Sequence, residues 1–145
     1  MAKVLLVDDL PPERQRIAKA LSKPGHNVIS VQGNTTDTLF AETKLWLDEN
    51  ADVVFDVLIL DIAYDKHTLG GLVLYQLLEE QGYISRWRHL ILFTQLVSQA
   101  QERDFARLEA FLINRHIPME NLISKHPTKL DNLIDRVAKL TDDIG

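Results

Sequence analysis

The chain has 145 residues, 46% of them hydrophobic and 26% charged. These values lie near the globular average, so one domain with an ordinary core is expected, and disordered, collagenous and low-complexity classes are excluded. A balance of 16 Lys and Arg against 21 Asp and Glu gives a net charge of -5, which argues against a nucleic-acid face and leaves proteins, small anions or cations as partners. With no cysteine in the chain, disulfides, thiolate zinc sites and a cysteine nucleophile drop out. Apolar runs such as Val57 to Leu60 and Leu90 to Phe93 fall far short of the ~18 residues a membrane span needs. Met1-Ala2-Lys3 lacks the apolar run of a signal peptide, so a cytoplasmic location without membrane contact is expected.

No repeat, linker or compositional break interrupts residues 3–140, which are read as a single domain with no output domain. Lys3-Val4-Leu5-Leu6-Val7 is continuous rather than alternating, as expected of a strand (β1) covered on both faces. Pro11-Pro12-Glu13 suits a helix first turn, and Ile17, Ala18 and Leu21 repeat at helical spacing until Ser22-Lys23-Pro24-Gly25 ends it (α1). A second strand is expected at 27–31 (β2) and a helix at 35–48 (α2) with Leu39, Phe40, Trp46 and Leu47 on one side. The most hydrophobic strand is expected at 56–61 (β3), with an acid at each end. After a loop containing Gly70 and Gly71, residues 72–81 carry Leu74, Tyr75, Leu77 and Leu78 at amphipathic spacing (α3).

A fourth strand is expected at 89–94 (β4). Ser98 to Gln101 has the form of a capping box opening a long helix to about Arg115 (α4). A fifth strand is expected at 121–124 (β5), and a last helix runs from Thr128 or Lys129 to Leu140 (α5). Five strands each followed by a helix imply an α/β fold, a doubly wound parallel sheet with right-handed crossovers and helices on both faces. The working site of such a sheet lies beyond the carboxyl ends of its strands.

Those ends carry Asp8 and Asp9 after β1, Asp61 after β3, Thr94 at β4 and Lys125 after β5. Three converging carboxylates repel one another, and a raised pKa or a bound cation relieves them. An all-oxygen donor set favours a hard ion, so Mg2+ is expected rather than zinc. No Ser-His pair or Glu-x-x-His lies nearby, which leaves acyl transfer and zinc hydrolysis unsupported. Phosphoryl transfer needs an in-line nucleophile, a metal and donors around the equatorial oxygens, and this set supplies all three. A carboxylate can be the nucleophile, and the central strand nominates Asp61.

Lys3 to Asp9, Leu58-Ile59-Leu60-Asp61, Phe93-Thr94 and Ile123-Ser124-Lys125 together resemble the receiver domain of bacterial response regulators, the CheY-like proteins of two-component signalling, over nearly the entire chain. The resemblance implies a flavodoxin-like sheet in the order 2-1-3-4-5 and a signalling receiver rather than a turnover enzyme. It implies Asp61 as phosphoacceptor, charged by a histidine kinase or phosphotransfer protein. Asp9 would be the direct Mg2+ ligand, Asp8 would hold the ion mostly through water, and Ala63 would offer its backbone carbonyl. Thr94 would hydrogen-bond a phosphoryl oxygen and Lys125 would pair with another. A downstream protein target would be met through the α4-β5-α5 face, with homodimerisation left open. The chain departs from the family at Leu69, where a Gly is usual, at Gln95, where a small residue follows the Thr, at Leu122, where an aromatic is usual, and at Lys125-His126-Pro127, where Pro usually follows the Lys directly.

Each tip residue has a bland reading. Asp8 and Asp9 could cap α1, Asp61 could form a turn, and Lys125 could be a solvated loop charge. His67 and His126 lie near the site in sequence, and Arg103, Arg107 and Arg115 with Glu102, Asp104 and Glu109 look like a solvated helix face. Two other functional classes stay open. One is an interaction module of the same fold that works without phosphorylation. The other is a metal-dependent phosphohydrolase with its nucleophile after β1, although such enzymes want Asp-x-Asp and this chain has Leu10 two positions after Asp8.

Overall fold

In the computed structural model, residues 2–61, 70–94, 102–124 and 130–141 are described, with backbone alone at Thr94, residues 102–105 and Ser124. The strands are β1 (Lys3–Val7), β2 (Asn27–Val31), β3 (Phe55–Leu60), β4 (Trp87–Thr94) and β5 (Leu122–Ser124). The helices are α1 (Pro11–Ser22), α2 (Thr36–Glu49), α3 (Gly70–Glu80), α4 (Glu102–Asn114) and α5 (Asp131–Thr141). All strand pairs are parallel, in the order β2-β1-β3-β4-β5. No described helix is long and apolar enough to cross a membrane.

The central strands are uniformly apolar because both faces are covered. Leu5 and Val7 of β1, Leu58 and Leu60 of β3, and Leu90 and Leu92 of β4 join a larger core with Leu39, Leu47, Leu74, Leu78 and Leu112. The alternate residues, Val4 and Leu6, Val57 and Ile59, Ile91 and Phe93, form a second core with Ile17, Leu21, Leu133 and Val137. The sheet thus lies between α2, α3 and α4 on one face and α1 and α5 on the other.

Local chemistry sets the element ends. α1 starts on Pro11 and Pro12, whose fixed φ suits a first turn and whose missing N–H groups cost nothing there. α2 opens with a capping box in which the Thr35 hydroxyl accepts from the Thr38 amide at 3.1 Å and the Thr38 hydroxyl accepts from the Thr35 amide at 3.0 Å. Its far end is closed by Arg86, whose guanidinium donates to the carbonyls of Leu47, Val53 and Asn50 at 3.1, 2.9 and 2.6 Å. Leu47 and Asn50 lie in the last turn and at the cap, where intrahelical donors run out, and the Asn50 carbonyl also accepts from the Val53 amide at 3.0 Å.

Several boundaries differ from the sequence reading. α3 begins at Gly70 rather than 72, because Gly70 and Gly71 are buried in its first turn, where the sequence suggested a loop. β3 gains Phe55 and β4 gains Trp87, both buried aromatics that anchor the strand starts. Two short 3-10 turns, Ile84–Arg86 and Met119–Asn121, precede β4 and β5. The buried amide of Asn121 donates to the Leu90 carbonyl at 2.9 Å and accepts from Arg136 of α5 at 2.7 Å. Arg115 is not part of a solvated face. It makes a two-pronged contact to Glu79 at 2.9 and 2.7 Å and lies 3.8 Å over the Phe111 ring. The expected capping box at Ser98 to Gln101 lies outside the described residues.

Candidate functional site

β1 and β3 are neighbours with Val7 opposite Leu60, and one further rung, from the Asp61 N–H to the Val7 carbonyl at 3.0 Å, continues the ladder past the last strand residue. Asp61 is therefore held against the end of β1, where Asp8 and Asp9 follow directly. One carboxylate oxygen from each of the three lies within 4.8 Å of the other two. All three residues are buried, at 1% exposure for Asp8, 8% for Asp9 and 6% for Asp61. Two ionised groups at that separation repel by about 3 kcal/mol at an effective dielectric of ~20. The rim is thus built to receive positive charge. The donor set is oxygen alone, without nitrogen or sulfur, and fits a hard cation such as Mg2+.

The main chain around these acids is tied down. Asp8 Oδ1 accepts from the Leu10 amide at 3.0 Å. Arg14 of α1 donates through Nη1 to the carbonyl of Asp8 at 2.7 Å and to that of Gly33, past the end of β2, at 2.8 Å. Gly33 has φ +157, and a Cβ there would stand 3.0 Å from the backbone nitrogen of Leu39. A side chain at this position would be strained.

Thr94 ends β4, opposite Ser124 of β5, so its backbone reaches the same rim of the sheet. Its side chain lies outside the described residues, as do all of Ala63, His67, Lys125 and His126. Of the expected set, the structure brings together Asp8, Asp9 and Asp61. Asp56, the acid at the other end of β3, serves the framework instead, accepting from the Lys3 amide at 2.8 Å.

Sequence reasoning passed over Arg14. A cation in the first turn of a helix opposes the helix dipole, and that local disadvantage was the signal that Arg14 is held there by something else. Gly33 stood at a strand tip without its carbonyl's role being visible.

A five-stranded sheet in this order, with its acids at the β1/β3 switch point, defines the flavodoxin-like class of doubly wound folds. Within that class the chain has the fold of response regulator receiver domains. It superposes on the receiver domain of a Francisella response regulator with a TM-score of 0.64, 20% identity and 100% of both chains covered. A response regulator receiver domain protein from Clostridium thermocellum matches with a TM-score of 0.63 and 19% identity, covering 99% of this chain and 96% of that one. A Thermotoga maritima response regulator in complex with Mg2+ and BeF matches with a TM-score of 0.60 and 20% identity, covering 97% and 99%. No family model matches the chain, and no curated protein does.

Proposed function

We propose that the chain is a phosphoacceptor receiver, which takes a phosphoryl group on Asp61 with Mg2+ and signals through protein contacts. The observation that carries this reading is the convergence of three buried carboxylates at the switch point of a receiver fold. A Mg2+ ion held by Asp8, Asp9 and Asp61 would neutralise the phosphoryl oxygens as charge builds on them. Asp61 supplies the nucleophile. One of its oxygens forms a bond to phosphorus while the P–N bond of a phosphohistidine on a histidine kinase or phosphotransfer protein breaks. The released imidazole nitrogen keeps the electron pair and takes up a proton. Hydrolysis of the resulting acyl phosphate returns inorganic phosphate and the free carboxylate.

In this reading Ala63 adds a carbonyl to the ion, Thr94 donates to one phosphoryl oxygen and Lys125 pairs with another, as the resemblance implies. Leu122 is partly buried against the larger core. A packed leucine has no ring to swing inward, so in this chain the response to phosphorylation runs through Thr94 without an aromatic partner. Output passes to a protein target through α4, β5 and α5. The reading makes the chain a signalling component rather than an enzyme with turnover.

Incubation with acetyl phosphate and Mg2+, followed by intact mass, tests the assignment. A gain of one phosphoryl group is expected in the native chain, with none in Asp61→Asn or in the presence of EDTA. No gain in the native chain makes it an interaction module. Phosphatase turnover that survives Asp61→Asn and dies with Asp8→Asn makes it a phosphohydrolase.

A further inference from the structure

We propose that Arg14 is a positioning residue for the ion at this rim, an inference that rests on the Mg2+-dependent reading above. A single guanidinium nitrogen bridges two carbonyls from different connections, Asp8 after β1 at 2.7 Å and Gly33 after β2 at 2.8 Å. The carbonyl of Asp8 belongs to the peptide plane that joins Asp8 to Asp9. Because that unit is rigid, fixing its oxygen fixes the direction in which the chain enters Asp9. Arg14 is itself fixed, since its amide donates to the Leu10 carbonyl at 2.9 Å, while the Leu10 amide donates to Asp8 Oδ1 at 3.0 Å. Asp8, Leu10 and Arg14 thus form a closed set of hydrogen bonds around the strand end.

The second anchor is equally constrained. Gly33 lies close against Leu39, where a Cβ would stand 3.0 Å from the Leu39 backbone nitrogen, and Leu39 is fully buried in the larger core. The position of the Gly33 carbonyl is therefore set by core packing, and Arg14 transmits it to the acids. Three carboxylates gathered within 4.8 Å tend to spread, and a half-buried cation tethering the main chain behind them opposes that spread. Arg14 touches no reacting atom in this arrangement. Residues that orient metal ligands in this indirect way typically contribute 10 to 100-fold in affinity.

The test is calorimetric Mg2+ titration of the native chain, Arg14→Ala, Arg14→Gln and Asp9→Asn, with the melting temperature of each recorded in EDTA. The native chain is expected to bind Mg2+ and Asp9→Asn to lose it. Arg14→Ala is expected to bind about tenfold or more weakly, with Arg14→Gln close to it, since a neutral amide lacks both the reach and the charge. An Arg14→Ala protein that melts lower yet binds Mg2+ as the native chain does makes Arg14 a framework residue and overturns the proposal. If Arg14→Ala does not fold, Arg14→Gln is judged by the same criterion. A native chain that binds no Mg2+ defeats the phosphoacceptor reading first, and this inference with it.

Discussion

Asp8, Asp9 and Asp61 were legible in the sequence because each follows a continuous apolar strand, at the ends where such a sheet carries its working site. Arg14 was not, because its effect passes through backbone carbonyls that no residue type announces. His26 is half-buried and accepts from the Ala2 amide through Nδ1 at 3.1 Å. Burial holds its pKa below the ordinary value of 6.5, so folding favours the neutral ring. The unfolded chain then takes up a proton before the folded one does. This contribution to stability is complete above pH 6.5 and is lost as the pH falls from there toward the lowered folded value. Denaturant unfolding at pH 7.5 and 5.5 is expected to show a smaller loss in His26→Gln than in the native chain. An equal loss in both proteins would mean that His26 has the same pKa folded and unfolded.

At the scale of elements, the strands were easy to find, since a parallel strand covered on both faces is a short apolar run bounded by polar residues. Helix ends were harder. The first turn of α3 contains Gly70 and Gly71, residues that ordinarily punctuate loops, and tertiary packing overrode that local preference. The end of α2 depends on Arg86, which stands 39 residues beyond Leu47, so no window along the helix contains the information. Arg86→Ala removes a donor from three carbonyls, of which Asn50 keeps the Val53 amide at 3.0 Å, and is expected to cost about 1–3 kcal/mol from the groups left behind. Thr35→Ala removes half of the capping box and is expected to cost ~1 kcal/mol. Because the two residues act at opposite ends of α2 and share no partner, the double variant should lose the sum. Chemical denaturation of the two single variants and the double variant measures both costs and their additivity.

For the molecule as a whole, the order 2-1-3-4-5 puts the two acid-bearing strands side by side in the middle of the sheet. Any ion binding to the carboxylates therefore stabilises the entire fold. An ion at 100 times its dissociation constant adds about 2.7 kcal/mol. The melting temperature is expected to rise with Mg2+ and to return on addition of EDTA, with no response in Asp9→Asn. A native chain whose melting ignores Mg2+ would place the ion elsewhere or nowhere.

The clasp between Arg86 and α2 bears on how the protein is made. A ribosome delivers the chain from its amino end, so α2 emerges complete while the side chain that closes it is still unsynthesised, 36 residues behind Asn50. β1 waits likewise for β3, its inner neighbour. The amino-terminal half therefore lacks the closure of α2 and one neighbour of β1 until the residues up to 86 have been made.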